Sequence, residues 1–163
     1  MIREEAKEPC VHRILFVCSG NICRSPLAEA IMTQLVEAAG AAAQFVIDSA
    51  GTHGYHEGEA ADPRTRLVGR QHGLEVTSMA RPVVDADFDR FDLIVAMDRG
   101  HKRELEARAG TRRTASITLM REFDPSSPEI DVADPYYGGA SGFEAMYQVL
   151  LPACRGLLAT LSP

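Results

Sequence analysis

The residues with the clearest chemical potential lie in a short loop near the start of the chain. Cys18 and Arg24 stand there with five residues between them. A thiolate is a strong nucleophile, and a guanidinium binds two oxygens of a phosphoryl group at once through its planar fork. A loop of this length over a helix N-terminus directs backbone N–H groups at an anion and favours the thiolate form of a cysteine. The pattern predicts an anion loop with the thiol at its bottom and the guanidinium at its rim.

This anion loop comprises Cys18, Ser19, Gly20, Asn21, Ile22, Cys23, Arg24 and Ser25. Gly20 and Asn21 tolerate the left-handed backbone angles that a tight loop needs. Ser25 followed by Pro26 is typical of a helix N-cap and first helical position. The Ser25 hydroxyl is also suited to donate a hydrogen bond to the thiolate, which stabilises its charged form.

The elements that must position this loop follow from hydrophobic patterning. Four apolar runs predict buried strands, at residues 14–17, 45–47, 93–96 and 116–120. Helical patterns lie between and after them, with N-caps at Asp62 and Asp98 and a capping box at Ser141 to Glu144. The alternation predicts an α/β fold: a single-domain three-layer sandwich, with a four-stranded parallel sheet, helices on both faces and the phosphate loop after the first strand.

Size and composition narrow the class of protein. The chain has 163 residues, 45% of them hydrophobic, which suits one domain at 13–163 after a charged, flexible N-terminal extension at 1–12. A net charge of −6 argues against a nucleic-acid partner. The chain lacks an apolar run of the ~20 residues that span a membrane, and its charged first residues lack the apolar centre of a signal peptide, so we expect a cytoplasmic protein without a membrane partner. We also expect a monomer. Four cysteines in a chain expected to be intracellular are typical of free thiols rather than of a disulfide framework. The spacing of Cys18 and Cys23 does not fit a zinc site, so no metal is expected.

The chain resembles the low-molecular-weight protein tyrosine phosphatases from Ile14 to its final helix. Residues 17–26 are similar to the family's phosphate loop, and residues 48–52 and 96–98 to its second and third strand ends. Residues 134–138, Asp-Pro-Tyr-Tyr-Gly, resemble the loop that bears the general acid. A cysteine and an arginine at this spacing are weak evidence alone, but the four segments in order are specific.

The resemblance implies the reaction and the roles. Cys18 would be the nucleophile, Arg24 the phosphate clamp, and Asp134 the proton donor to the leaving phenol. The substrates would be phosphotyrosine proteins, hydrolysed through a phosphocysteine without a cofactor, and phosphate or other oxyanions would inhibit in the loop. By its sequence alone, Asp134 before a proline is otherwise a turn residue.

A tyrosine substrate requires a deep cleft with aromatic or apolar walls. The candidates for these walls are Ile22, Tyr55, Tyr136 and Tyr137. In similar proteins an aromatic residue at the position of Tyr55 lines the cleft, and related arginine phosphatases tend to have threonine at the position of Ile22. The bulk of Ile22 therefore favours tyrosine over arginine.

Two features of the loop's surroundings need comment. Many relatives support the loop with a histidine, where this chain has Ser78, and Ser49 would complete the same network with Asn21 and Ser25. We expect Ser49 and Ser78 to be loop-support residues, with a somewhat less rigid loop. Cys23 matches a second cysteine of many relatives and would form a reversible disulfide with Cys18 that protects against overoxidation.

Three alternatives stay open. An arsenate reductase of the same fold needs a downstream cysteine pair, and no cysteine lies between Cys23 and Cys154. A protein arginine phosphatase differs mainly at the cleft. A non-catalytic phosphotyrosine-binding module would not need Cys18, Arg24 and Asp134 together.

Overall fold

A computed structural model of the protein describes residues 10–111 and 113–162. The first strand begins at His12, one residue before the expected domain boundary. Of the expected N-terminal extension, residues 1–9 lie outside the described residues.

Four parallel strands form the central sheet, as the alternation of strands and helices predicted. They are β1 (His12–Cys18), β2 (Phe45–Gly51), β3 (Leu93–Ala96) and β4 (Ser116–Leu119), in the spatial order β2-β1-β3-β4. β1 is an inner strand, and Ile14 to Val17 are fully buried. β2 extends four residues beyond the predicted 45–47, because the polar residues after Ile47 continue to pair with β1.

The described residues form five helices around the sheet: α1 (Arg24–Ala38), α2 (Pro63–Gln71), α3 (Asp87–Arg90), α4 (Arg99–Ala109) and α5 (Ala140–Leu161). Short 3₁₀ turns lie at Ala42–Gln44 and Met120–Phe123. Within the described residues, none of the helices is long and apolar enough to cross a membrane.

The side chains of β1 divide the interior into two cores. Ile14 and Phe16 pack in the core that contains α1 and α5, whereas Leu15 and Val17 pack in the core that contains Leu105 of α4. This division follows from the two-residue alternation of strand side chains. The uninterrupted apolar run of β1 is therefore explained by burial on both faces.

The carboxyl ends of β1 and β2 are joined beyond the sheet itself. Thr52 and His53 donate backbone hydrogen bonds to the carbonyls of Cys18 (2.9 Å) and Ser19 (3.0 Å). A Cβ on Gly51 would lie 2.7 Å from the Ser19 carbonyl oxygen, so this close approach requires glycine. The segment after β2 thus supports the start of the anion loop.

Two of the four predicted helix caps are correct. The side chains of Asp62 and Asp98 accept hydrogen bonds from Arg64 N and His101 N. The caps predicted at Ser25 and Ser141 are wrong: α1 begins at Arg24 and α5 at Ala140, without a side-chain cap at either helix. The Ser25 hydroxyl binds within the anion loop instead.

One half-buried carboxyl group lies on α1, away from the predicted chemistry. Burial raises the pKa of Glu29 to about 7, and the neighbouring carboxylate of Asp48 acts in the same direction. Asp48 itself is ion-paired with Arg81 (3.0 Å). Between pH 4.5 and about 7 the folded protein therefore retains a proton on Glu29 that the unfolded chain has lost.

Glu29→Gln is expected to change the pH dependence of stability. Because the folded-state pKa is raised, the contribution of Glu29 to the unfolding free energy is present at low pH and is lost as pH rises toward 7. The neutral glutamine removes this loss, so the variant should gain stability relative to wild type between pH 5 and 8. Thermal unfolding across this range measures the difference. Glu37→Gln, an exposed position on the same helix, is the control, and a constant wild-type-to-variant difference at all pH values would contradict the prediction.

Candidate active site

The anion loop turns at Asn21, whose φ of 58° places it in the left-handed region. Its side-chain amide also braces the loop, because Nδ2 donates to Ser25 Oγ (2.8 Å) and Oδ1 accepts from Arg81 N (3.1 Å). Asparagine is one of the few residues besides glycine that adopt this conformation readily. Asn21 is thus needed both for the turn and for its two hydrogen bonds.

The nucleophile candidate lies at the bottom of the loop, as predicted. Cys18 is 3% exposed, and its Sγ is 2.9 Å from Ser25 Oγ. Asn21 donates to Ser25 Oγ, so the serine hydrogen is left for an acceptor, and the sulfur at 2.9 Å is closer than the alternative, the Ala50 carbonyl at 3.5 Å. A donor in this position stabilises a thiolate, and later the sulfur as a leaving group.

The sequence predicted that Arg24 lies at the rim of the loop, and this is wrong. Arg24 is buried, with 4% of its surface exposed. Its NH1 donates to Asp98 Oδ2 (3.1 Å) and to the carbonyl of Val132 (2.9 Å). A buried guanidinium requires such partners to offset its lost hydration. Within the described residues the Arg24 side chain makes only these two hydrogen bonds, and both use NH1. Its Nε–H and NH2 groups are therefore available to bind two oxygens of an anion.

The predicted general acid faces the same space. Asp134 Oδ2 is 3.6 Å from Arg24 NH2, and the aspartate side chain is 47% exposed. Its Oδ1 accepts a hydrogen bond from Tyr136 N (3.0 Å), so Asp134 also opens a turn. We call residues 134–138 the acid turn. Asp134 is therefore both a turn residue and a residue that faces the cleft.

His101 was not predicted as a site residue. Its Nε2 is 2.8 Å from Ser19 Oγ, and its Nδ1 is 3.2 Å from Asp98 Oδ1, an electrostatic contact rather than a well-aligned hydrogen bond. Burial lowers the pKa of His101 to about 4, so the ring is neutral near pH 7. With the proton on Nδ1 facing the carboxylate, Nε2 accepts the hydroxyl hydrogen of Ser19. The sequence signal was a histidine in the first turn of a helix that follows a strand end.

A cleft of about 260 Å³ opens above the loop. Its walls include all four predicted residues together with two histidines that were not predicted; the full lining is Cys18, Ser19, Gly20, Ile22, Cys23, Arg24, His53, Tyr55, His56, Asp134, Tyr136 and Tyr137. Tyr55 stacks on His53 with ring centroids 5.2 Å apart. His56 is close to Gly20, where an added Cβ would lie 2.9 Å from its ring. Five of the twelve lining residues are therefore aromatic.

The two expected loop-support serines are not hydrogen-bonded to the loop. Ser49 Oγ is buried without a partner, and within the described residues no hydrogen bond links Ser78 to residues 18–25. The loop instead receives the backbone N–H of Arg81. The Arg81 guanidinium is held by Asp48 and Asp87 at 3.0 Å each. The support comes from the backbone of the same segment rather than from the substituted side chain.

No group of three or more metal-ligating His, Cys, Asp or Glu side chains occurs within residues 10–111 and 113–162. The chemical groups that the cleft brings together are a thiol, a guanidinium and a carboxyl group.

Fold and site together define a class of protein. A thiol in an anion loop at the carboxyl end of a parallel strand, faced by a buried arginine and a carboxyl group, is the arrangement of a cysteine-dependent phosphatase. A profile of the family described as low molecular weight phosphotyrosine protein phosphatase matches residues 13–163. The chain belongs to this family.

Individual relatives agree with this assignment. The low molecular weight protein-tyrosine-phosphatase of Streptomyces coelicolor is 48% identical over 153 residues, which cover 92% of this chain and 93% of the relative. The crystal structure of the Entamoeba histolytica protein tyrosine phosphatase with Hepes in its active site matches with a TM-score of 0.89 and 43% identity, covering 92% of this chain and 96% of that one. The crystal structure of a Drosophila arginine phosphatase also matches, with a TM-score of 0.86 and 34% identity over 92% and 98% of the two chains.

Ser25→Ala is expected to slow alkylation of Cys18 by iodoacetate at pH 6. The variant removes the hydroxyl donor 2.9 Å from the sulfur. Hydrogen bonds to charged groups contribute about 1.5–3 kcal/mol, so the rate should fall roughly tenfold or more. Mass spectrometry locates the label at Cys18, and Ser141→Ala, an exposed serine in α5, is the control. An unchanged rate in Ser25→Ala would contradict the assignment of the donor.

Proposed function

We propose that this protein hydrolyses phosphotyrosine in proteins through a phosphocysteine intermediate. One observation carries the proposal: Cys18 Sγ, the open edge of the Arg24 guanidinium and the Asp134 carboxyl group all face one cleft. The cleft is lined by tyrosines and Ile22, which suits an aromatic ring that carries the phosphoryl group. The Entamoeba histolytica relative holds Hepes, a sulfonate buffer, in its active site, which supports oxyanion binding by this loop.

In the first step the thiolate of Cys18 attacks phosphorus and the bond from phosphorus to the tyrosine oxygen breaks. The backbone amides of the loop and the Nε–NH2 edge of Arg24 compensate the charge on the three non-bridging oxygens. Asp134, entering protonated, gives its proton to the leaving phenolate oxygen. The aspartate side chain is half exposed, so it can exchange protons with solvent between turnovers.

In the second step water displaces the cysteine from phosphorus. The Asp134 carboxylate takes a proton from the attacking water, and inorganic phosphate is released. The sulfur leaves as a thiolate, which the Ser25 hydroxyl stabilises. Cys18 is thus the nucleophile of the first step and the leaving group of the second, and Asp134 is first the acid and then the base.

The substrate class rests on the cleft walls. Tyr55 is 82% exposed and Tyr137 is 94% exposed, so both present their rings to an approaching substrate. Ile22, 8% exposed, narrows the space beside the loop. Phosphoarginine is the second candidate substrate, because a Drosophila arginine phosphatase shares the fold at 34% identity.

We also propose that the site is protected against irreversible oxidation by a disulfide between Cys18 and Cys23. Peroxide would convert the Cys18 thiolate to a sulfenic acid, and the Cys23 thiol would condense with it to give a disulfide and water. Both residues belong to the anion loop and both are buried. Burial raises the pKa of Cys23 to about 12, so it enters the reaction as a thiol and leaves reactivity toward the oxidant to Cys18.

The proposed activity is tested with phosphotyrosine, phosphoserine and phosphoarginine peptides in the presence of a chelator. Phosphotyrosine should be hydrolysed preferentially, and Cys18→Ser should lower the rate by roughly 10³-fold or more, because the nucleophile is removed. Release of inorganic phosphate measures both effects. Asp134→Asn should stay active but turn over slowly.

The substrate panel separates the alternatives. Full activity in Cys18→Ser, or no activity of the wild type on phosphotyrosine, would contradict the proposed function. A preference for phosphoarginine would assign the protein to the second candidate, and tight binding of phosphotyrosine peptide without turnover would indicate a binding module.

The redox proposal predicts that activity lost in mild peroxide is recovered with dithiothreitol, and that peptide mapping finds a Cys18–Cys23 crosslink before reduction. In Cys23→Ser the loss should become largely irreversible, because Cys18 proceeds to sulfinic and sulfonic acids. Cys154→Ser, a buried cysteine in α5, is the control. Equal recovery in wild type and Cys23→Ser would overturn the proposal.

A further inference from the structure

Arg64 lies outside the reacting groups, yet it joins the anion loop to the acid turn. It stands in the first turn of α2, directly after the cap Asp62 and Pro63. The Asp62 carboxylate holds the guanidinium at two points, Nε at 3.0 Å and NH2 at 2.9 Å. Such a bidentate pair fixes the plane of the guanidinium as well as its position.

The pair is attached to the anion loop on one side. Asp62 N donates to the carbonyl of Ile22 (2.9 Å), so the start of α2 is fixed to the loop by a backbone hydrogen bond. The Asp62 side chain is 8% exposed, and hydrogen bonds from Arg64 lower the pKa of its carboxyl group. The carboxylate is thus charged at neutral pH and holds Arg64 in place.

On the other side the guanidinium holds the acid turn. Arg64 NH1 donates to the carbonyl of Tyr136 (3.1 Å). The guanidinium carbon lies 5.3 Å from the ring centroid of Tyr136 and 4.6 Å from that of Phe143, within cation–π distance of both. Within the described residues this is the one hydrogen bond that joins the acid turn to a residue outside it; the Arg24–Asp134 ion pair is the other polar contact.

The link continues through Tyr136 to the general acid. The peptide carbonyl of Tyr136 accepts from Arg64, while its N–H donates to Asp134 Oδ1. A shift of Tyr136 therefore moves the donor that orients the carboxyl group. Because the Asp134 side chain is half exposed, close packing does not fix the orientation of its carboxyl group. Hydrogen bonds and ion pairs must do so.

We propose that Arg64 is a positioning residue for the general acid, holding the acid turn over the cleft through Tyr136. This inference rests on the proposed function, since it assigns Arg64 a role in the same reaction. Arg64 acts on protonation of the leaving group and leaves the attack by Cys18 unchanged. Its loss should therefore be felt most where the leaving group most needs a proton.

The experiment compares two aryl phosphates. Phenyl phosphate has a strongly basic leaving group, whereas that of 4-nitrophenyl phosphate is weakly basic. In Arg64→Met, kcat/KM for phenyl phosphate should fall about tenfold, which is a part of the 10²–10⁴-fold that a positioned acid contributes. The kcat/KM for 4-nitrophenyl phosphate should fall less than about twofold. Arg64→Lys keeps the charge and one donor and should give an intermediate value. Arg70→Met, an exposed arginine at the other end of α2, is the matched control.

A double variant shows whether the effect passes through Asp134. In the Asp134→Asn background, Arg64→Met should have no further effect on phenyl phosphate, because the acid it positions is already absent. An equal loss on both substrates, or an additive loss in the double variant, would overturn the proposal in favour of a structural role, which thermal unfolding of each variant measures directly.

The outcomes also separate this inference from the proposed function. If the wild type hydrolyses neither aryl phosphate, the proposed function fails and the positioning role fails with it. If the wild type is active and Arg64→Met matches it on both substrates, only the positioning role is overturned.

Discussion

The buried guanidinium of Arg24 is the constraint on which the site depends. A cation that is 4% exposed is stable only if it is surrounded by acceptors. Those acceptors come from two distant parts of the chain: Asp98, two residues after β3, and the segment that contains Val132 and Asp134. Compensation of one buried charge therefore brings the strand end, the anion loop and the acid turn together. Burial of this one charge therefore also assembles the candidate catalytic groups.

A second shared constraint is the hydrogen-bond chain from Arg81 through Asn21 to Ser25 and Cys18. Each member has one donor or acceptor committed to its neighbour, and the sulfur is the nearest acceptor for the last hydrogen in the chain. The chain begins at a backbone N–H, which a side-chain substitution does not remove. This explains how the loop is braced without a hydrogen bond from Ser78, the residue expected to support it.

Networks of ion pairs and hydrogen bonds extend beyond the groups that would touch a substrate. Neutral His101 fixes the Ser19 hydroxyl and faces Asp98, which in turn pairs with Arg24. On the opposite wall the Asp62–Arg64 pair connects the loop to the acid turn. Both networks use a carboxylate that first caps a helix and then orients a cation, so one side chain serves local structure and the site together.

Local patterns were sufficient where the physical cause is local. The strand core at 14–17 and the helix starts at Asp62 and Asp98 follow from burial periodicity and capping chemistry. Ser25 and Ser141 have the same capping chemistry but do not cap, and the reason for Ser25 is tertiary: its hydroxyl is bound by Asn21 and Cys18. The prediction that Arg24 lies at the rim was also wrong for a tertiary reason, because the sequence does not reveal that Asp98 and Val132 converge on the guanidinium.

By itself, the sequence determined the fold class, the anion loop with its thiol and guanidinium, and through family resemblance the candidate acid. These depend on residue types and on spacings within one segment. Only the tertiary structure decided the burial of Arg24, the part of His101 and Arg64, and the backbone support from Arg81. Each of these depends on groups many residues apart that meet because parallel strands end at one edge of the sheet. The physical reason is that hydrogen-bond and charge partners are selected by distance in space, which spacing along the chain does not encode.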